Sequence, residues 1–139
     1  MSSSINKASF RFSKFTILES YFQMTDSSDF EINIKVNPTG RLSKNNKTFL
    51  LEQQVEVSDE NNKFKINIRT SAQFDFDEVL DDEKSFSFFI INAPAIVFPY
   101  IRAYISNLTA LSGLSTITLP TLNLSEMSKV LKNNIEIIE

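Results

Sequence analysis

Apolar and polar residues alternate through most of the segment from Phe30 to Phe76, and this pattern limits the possible folds more than any other feature of the sequence. A period of two is typical of β-strands that bury one face and expose the other. The alternation divides into runs at residues 30–36, 48–57 and 64–76, and Pro38-Thr39-Gly40 is expected to end the first. The sequence therefore predicts three strands in succession.

The second and third runs are predicted to form an antiparallel hairpin. They are joined by Asp59-Glu60-Asn61-Asn62, in which the asparagines tolerate positive φ. Apolar residues take odd positions before this turn, such as Val57, and even positions after it, such as Ile66. A turn of even length sets odd positions opposite even ones, so both apolar rows should lie on the same face of the sheet.

A fourth extended segment is predicted near the N-terminus, from Phe10 to Phe22. Its apolar residues change phase between Phe12 and Phe15, across Ser13-Lys14, which indicates either a bulge there or burial on both faces. Together with the three runs above, this segment completes a predicted four-stranded antiparallel meander.

Helical spacing replaces the alternation after Pro94, which is expected to break the chain. From about Val97 to Leu111, apolar residues recur every three or four positions, with Pro99 in the first turn and Gly113 as the predicted C-cap. A last helix is predicted to be capped by Ser125 and to carry the apolar stripe Met127, Val130, Leu131, Ile135 and Ile138.

The predicted class is therefore α+β, with a four-stranded antiparallel meander sheet followed by a long helix and a short C-terminal helix. A chain of 139 residues fits one domain, here expected to span residues 1–139 with residues 1–8 flexible.

The residue content excludes most kinds of catalytic chemistry. Histidine and cysteine are absent, so no imidazole or thiolate is available for metal binding, nucleophilic catalysis or general base catalysis near neutral pH. Gly40 and Gly113 are the only glycines, so no phosphate-binding glycine loop can form. An acidic cluster lacks the glycine-turned loop of a calcium-binding EF-hand and is interpreted as a solvated loop: Asp75, Asp77, Glu78, Asp81, Asp82 and Glu83. The sequence predicts no enzyme activity, no metal site and no cofactor.

Charge and hydropathy restrict the partners and the location of the protein. With 14 basic and 17 acidic residues, the net charge of −3 has the wrong sign for binding nucleic acid or an anionic membrane surface. No secretory signal is visible, and the longest aliphatic and aromatic runs, such as Phe88-Phe89-Ile90-Ile91, are too short to cross a bilayer. The chain is expected to be soluble and cytoplasmic, without membrane insertion.

Two motifs carry a resemblance to a known family. The stretch Pro94-Ala95-Ile96-Val97-Phe98-Pro99-Tyr100-Ile101-Arg102 resembles the P-x-I-L-F-P-Y-x-R signature that opens the main helix of the bacterial SecB export chaperone. The stretch Leu119-Pro120-Thr121-Leu122-Asn123-Leu124 resembles that family's F-P-x-L-N-L connector. The sequence departs from the family in a longer connector after Gly113 and in Ser125-Glu126 where a proline is usual. The last helix is expected to end the chain without an extended tail.

The resemblance implies an ATP-independent holdase that binds unfolded preproteins in exposed apolar grooves and keeps them competent for export. It implies a homotetramer built as a dimer of dimers, and docking on the motor ATPase SecA, to which the tail contributes in the family. Two alternatives remain open: a SecB-like chaperone dedicated to one partner, such as an antitoxin, and a non-catalytic structural assembly module.

Thirteen phenylalanines exceed what one small core is expected to hide, which favours aromatic side chains near the surface. The predicted client groove comprises Phe74, Phe76, Phe86, Phe88, Phe89, Tyr100, Leu122 and Leu124, of which Phe74 is the most expected to be plain core. An acidic docking surface for a basic partner is predicted at Glu19, Glu31, Glu52 and Glu56, and Glu19 resembles an acidic residue that the family uses for SecA. The expected oligomer interface lies on the side of the long helix, at Val97, Tyr100, Tyr104 and Leu111.

Overall fold

A computed structural model of the chain describes residues 10–25, 31–61, 63–77, 83–113, 116–120, 122 and 124–138. Its elements follow the order β1 (Phe10–Met24), β2 (Ile32–Ser43), β3 (Thr48–Asp59), β4 (Phe64–Phe76), α1 (Glu83–Leu111), α2 (Leu124–Asn133) and β5 (Ile135–Ile138). The strands form one sheet, and both helices contribute residues to the core on its apolar face. The predicted α+β class, with a long and then a short helix after the sheet, is confirmed.

The strand order differs from the predicted meander. The sheet runs β1-β4-β3-β2-β5, so β2, β3 and β4 follow one another as hairpins while β1 lies beside β4. This is a Greek-key arrangement. The alternation of residues determines which side chains face the core, but it carries no information on which strands are neighbours.

The predicted hairpin between β3 and β4 is confirmed in its register. Val57 lies opposite Ile66, and both side chains are fully buried on the same face of the sheet. At the turn, the backbone N–H of Phe64 donates to Oδ1 of Asp59 at 3.1 Å. This bond satisfies a backbone donor that starts β4, and the buried Asp59 thereby helps to fix the turn.

The predicted bulge in β1 is also present. The register of β1 against β4 shifts between Phe12 and Lys14, and it shifts a second time between Ile17 and Glu19. Because of the first shift, Phe12 and Phe15 both pack against the core in spite of their different parity.

Strand β2 continues through Pro38, where the sequence predicted its end. Pro38 is buried and lies opposite Gln53 of β3. The pairing of β5 with β2 begins at Gly40, so β2 has a single neighbour at Pro38 and is locally an edge strand. Proline is tolerated at such a position because its missing N–H can face away from the ladder.

Helix α1 begins at Glu83, well before the predicted start near Val97, and it contains both Pro94 and Pro99. Each proline lacks an N–H, so the carbonyl four residues earlier loses its usual helical donor. Fully or almost fully buried side chains nevertheless recur every four residues through this region, at Phe89, Ala93, Val97, Ile101 and Ile105. The continuous packing of this stripe on the sheet offsets the cost of the prolines, and this packing cannot be seen from the residues around Pro94 alone.

The connector after α1 runs back along that helix. Gly113 has a φ of +82°, the left-handed conformation of a helix C-cap, as predicted. The Ser106 hydroxyl donates to the carbonyl of Ile117 at 3.1 Å, and the N–H of Ile117 donates to the buried Thr109 hydroxyl at 2.9 Å. Leu119 then enters the core. Polar bonds and one apolar anchor therefore hold residues 116–120 against α1.

Helix α2 is shorter than predicted, since it ends at Asn133 and Ile135–Ile138 form β5. The N–H of Asn134 donates to the carbonyl of Leu131 at 2.9 Å, which closes the last turn. Strand β5 then runs parallel to the end of β2, opposite Gly40–Ser43. The spacing of Ile135 and Ile138 is compatible with a helical stripe and with a strand. The strand forms because the edge of β2 offers backbone hydrogen bonds to it.

The core lies between the sheet and α1 and is centred on aromatic rings. The ring of Phe89 has its centroid 4.9–5.2 Å from the rings of Phe10, Phe49, Phe74 and Phe76, in edge-to-face contacts. Part of α1, Phe89–Leu111, is long and apolar enough to span a bilayer by length and composition alone. Within its most apolar window, 44% is buried, and the buried side chains of this segment include Phe89, Val97 and Ile101 of the core.

Candidate functional site

An open cleft lies between the N-terminal half of α1 and α2. It has a volume of about 310 Å³. Four residues from each helix line it: Phe86, Ser87, Ile90 and Ile91 from α1, and Ser125, Ser128, Lys129 and Lys132 from α2. This volume is at the lower end of the range of ligand pockets, roughly 300–1,000 Å³, and suits a few side chains of a partner.

The α1 wall of this cleft is apolar because of the direction in which the helix is rotated. Phe89 is turned into the core, and a residue two positions further along a helix points about 200° away from it. Ile91 is therefore directed away from the sheet, and 59% of it is exposed. Phe86 is half-buried and Ile90 is almost fully buried at the floor. The α1 wall thus presents aliphatic and aromatic surface to solvent.

The α2 wall is polar for a corresponding reason. Met127 and Leu131, four residues apart, are buried toward the sheet, which leaves hydroxyl and ammonium groups facing α1. The Ser128 hydroxyl donates to the carbonyl of Ile91 at 3.5 Å and joins the two walls. Lys129 and Lys132 lie on the same wall, about one helical turn apart. The cleft therefore has one apolar side and one basic side.

Three residues of the predicted client groove belong to the core, and that part of the prediction is corrected. Phe74, Phe76 and Phe89 are exposed by only 0%, 5% and 1%. The two strand residues face α1, and Phe89 lies in a helix that starts earlier than predicted, so all three point into the interior. They stabilise the fold and offer no surface to a partner in this structure.

The other predicted groove residues are spread over the molecule. Phe86 lines the cleft, and Leu122 is half-buried against the core. Tyr100 is 50% exposed but packs on the rings of Phe12 and Phe15 of β1, with centroids 5.1 and 5.6 Å away. The side chains of Phe88 and Leu124 lie outside the described residues.

Most of the residues that line the cleft were not predicted from the sequence. On α2, Ser125, Ser128, Lys129 and Lys132 share a face at intervals of three and four. This spacing was visible in the sequence, but it reads as the solvated side of an amphipathic helix unless the position of α1 is known. Pro94 led to a predicted helix start near Val97. The α1 residues that line the cleft all precede Pro94, so the predicted helix did not include them.

The predicted acidic surface carries basic partners in the structure. Arg69 on β4 forms ion pairs with Glu19 at 3.2 Å and with Glu52 at 3.7 Å. Lys65 pairs with Glu56 at 3.5 Å, and Glu31 is exposed just before β2. The outer face of the sheet therefore bears alternating charges, and acidic docking on it stays a prediction.

The residues predicted for the oligomer interface differ in exposure. Val97 is fully buried on the side of α1 that faces the sheet. Its predicted place in an interface between chains is therefore corrected. Leu111 is 87% exposed at the end of α1, and Tyr100 is half exposed. The Tyr104 hydroxyl donates to the Ser20 hydroxyl at 2.7 Å, which ties α1 to β1. Three of the four positions are thus available on the surface.

The two sequence motifs meet in space. Arg102, the last residue of the first motif, donates from Nη2 to the carbonyl of Pro120 in the second at 3.5 Å. Its guanidinium also lies 5.4 Å from the centroid of the Phe98 ring, which is within range of a cation–π contact. The Arg102 side chain therefore links the two motifs, because it connects the long helix to the connector.

The carboxylates of the predicted acidic cluster are described in part. Asp75 accepts a hydrogen bond from Nε2 of Gln73 at 3.0 Å. Asp77 pairs with Arg11, and the hydrogen bond to this carboxylate raises the pKa of Arg11 above its ordinary value. Glu78, Asp81 and Asp82 lie outside the described residues, as does the side chain of Glu83. Among the residues that the structure describes, no group of three acidic side chains could hold a metal ion.

Comparisons with known proteins agree with this architecture. The family model described as preprotein translocase subunit SecB matches residues 10–132. An uncharacterised protein of Methanocaldococcus jannaschii, MJ0357, is 26% identical over 129 residues, which cover 87% of this chain and 83% of that protein.

A solved structure shows the same fold. Mycobacterium tuberculosis Rv1957, a SecB-like chaperone in complex with a peptide from the HigA1 antitoxin, superposes with a TM-score of 0.69 at 15% identity. The match covers 81% of this chain and 90% of the other. At this identity the likeness establishes the fold, and the antitoxin peptide belongs to the mycobacterial protein. Since the family model spans most of the sequence and the fold agrees with it, the chain belongs to the SecB family, whose members are chaperones and not enzymes.

Proposed function

We propose that this protein is an ATP-independent holdase that binds segments of unfolded proteins in the cleft between α1 and α2. The observation that carries the proposal is the exposed apolar wall of that cleft, with Ile91 directed into solvent beside Phe86. Unfolded chains expose apolar side chains that folded proteins hide, so an open apolar cleft selects them without a catalytic group.

The energetics of such a cleft fit transient holding. Burial of one large aliphatic or aromatic side chain contributes about 1.5–3 kcal/mol. Association and ordering of the client cost at least about 4 kcal/mol, so one cleft that accepts two side chains binds weakly. An assembly with several copies of the cleft would hold a long client much more tightly, because later contacts are made within the same complex.

We further propose that the clefts are combined in a cytoplasmic homotetramer, a dimer of dimers, as the family resemblance implies. The exposed Leu111, with Tyr100 and Tyr104 on the same helix, supplies apolar surface for contacts between copies. Substitution of Leu111 by Asp should then lower the mass measured by light scattering. An unchanged mass for this variant would remove Leu111 from the interface.

The clients proposed are preproteins that must stay unfolded before export, with SecA as the acceptor. One observation favours a second candidate, a chaperone dedicated to one partner. The SecB-like protein that shares this fold at a TM-score of 0.69 was solved with a peptide from an antitoxin. Both candidates use the same cleft, and they differ in whether several unrelated unfolded proteins are held or a single one.

Suppression of client aggregation tests the function. Unfolded client is diluted into buffer with the native protein, with Ile91→Ser, or with the matched control Val130→Ser. Val130 is a 40% exposed β-branched residue of α2 that does not line the cleft. Ile91→Ser should lose most of the suppression and Val130→Ser should keep it. If the native protein does not slow the aggregation of any of several unrelated clients, general holdase activity is excluded and the dedicated chaperone or a purely structural module remains.

A further inference from the structure

The two walls of the cleft differ in chemistry, and this difference constrains what binds there. Apart from Ser87, the α1 wall is apolar, whereas the α2 wall presents hydroxyl groups and two lysines. A purely apolar segment would offer no carboxylate to the two lysines of the α2 wall. We propose that the cleft selects segments with large apolar side chains on one side and carboxylates on the other, and this inference rests on the function proposed above.

The two lysines are placed to contact such carboxylates. Lys132 lies in the last turn of α2 and has no ion-pair partner among the described residues. Lys129 pairs with Glu126 at 3.9 Å, but both side chains are about three-quarters exposed, at 77% and 75%. An exposed pair of this kind contributes little free energy, so Lys129 can exchange its partner for a client carboxylate.

The charge of the cleft is opposite to that of the whole molecule. The chain carries a net charge of −3, so its general field does not attract acidic segments. Charges in water are screened over about 8–10 Å at physiological salt, so a bound segment responds mainly to the groups that line the cleft. Specificity for acidic flanks is therefore a local property of Lys129 and Lys132 and separate from net charge.

Two labelled peptides of equal length test the inference by fluorescence anisotropy. Both carry the same leucine, phenylalanine and isoleucine residues, flanked by glutamates in one peptide and by lysines at the same positions in the other. At low salt the native protein should bind the acidic peptide about fivefold more tightly, which is the size expected from two exposed ion pairs. Added salt should reduce this difference.

Variants separate the cleft from general electrostatics. Lys129→Glu combined with Lys132→Glu should reverse the preference. Lys129→Gln with Lys132→Gln should abolish it and perturbs the end of the helix less. The matched control is Lys14→Glu with Lys35→Glu, which changes the net charge equally at exposed positions on the sheet. This control should keep the acidic preference.

The outcomes distinguish failure of this inference from failure of the proposed function. Equal affinity for the two peptides, lost in Ile91→Ser, would overturn the charge preference and leave the cleft as the binding site. A preference that the sheet control reverses as strongly as the cleft variant would also overturn it. Binding that Ile91→Ser leaves unchanged would reject the cleft itself, and both proposals with it.

Discussion

Both halves of α1 are rich in apolar residues, but the connector lies over part of the outer side of one half, whereas the outer side of the other half lines an open cleft. Residues 97–109 pack on the sheet through Ile101 and Ile105, and the connector covers part of their outer side. Residues 86–93 pack on the sheet through Phe89 and face α2 across the cleft. The apolar content of a helix therefore does not determine whether it serves stability or binding.

The difference lies in what covers each half. The connector is joined to the covered half by the Ser106 and Thr109 hydroxyls and by Arg102, each of which bonds a backbone group. At the open half, the Ser128 hydroxyl makes a long bond to the carbonyl of Ile91, and the neighbouring side chains of α2 are charged. The lysine side chains of α2 do not close over the apolar wall, because desolvation of ammonium groups is costly. The cleft consequently stays open.

The largest expected effect is on stability, and it contrasts the buried side of the open half of α1, at Phe89, with its exposed side, at Ile91. Phe89→Ala removes the ring at the centre of the aromatic core and should lower the free energy of unfolding by about 3–5 kcal/mol. Ile91→Ala, two residues away and mostly exposed, should change it by no more than about 0.5 kcal/mol. Urea denaturation measures both. Similar losses for the two variants would show that Ile91 is packed as tightly as Phe89.

A smaller effect is expected where the connector covers α1. Thr109→Val keeps the shape of the side chain but leaves the N–H of Ile117 without its acceptor, which should cost about 1–3 kcal/mol. The exposed Thr118→Val serves as the control and should be nearly neutral. Hydrogen exchange at the Ile117 amide should accelerate in Thr109→Val. Unchanged exchange would mean that the hydroxyl does not hold the connector.

The smallest effect is expected on the outer face of the sheet. Glu19→Gln removes one of two carboxylates that contact Arg69, in a pair that is largely exposed. Stability should change by about 0–0.5 kcal/mol, and raising the salt concentration should shrink even that change. A loss above about 1.5 kcal/mol would show that this ion pair is structural and not a surface feature.

The sequence predicted what depends on local periodicity. The pairing of Val57 with Ile66, the bulge near Ser13 and the C-cap at Gly113 each follow from a pattern within a few residues. The position of β1 beside β4 and the parallel addition of β5 depend on free strand edges, which no local pattern encodes.

The candidate site was predicted less well, for a physical reason. Pro94 taken alone predicts a break in the helix. The buried stripe from Phe89 to Ile105 nevertheless packs on the sheet both before and after Pro94, and the helix continues. The earlier start of α1 turned Phe89 into the core and Ile91 outward. It thereby moved the candidate site from the predicted aromatic residues to a cleft shared with α2.

The central claim, that unfolded clients bind in the cleft, is tested most directly by crosslinking from defined positions. The chain contains no cysteine, so Ile91→Cys and, separately, Val130→Cys can each carry a single benzophenone group attached through maleimide. After irradiation with an unfolded client, position 91 should yield a crosslinked product and position 130 should yield little. Equal crosslinking from the two positions, or a product from position 130 alone, would contradict the account.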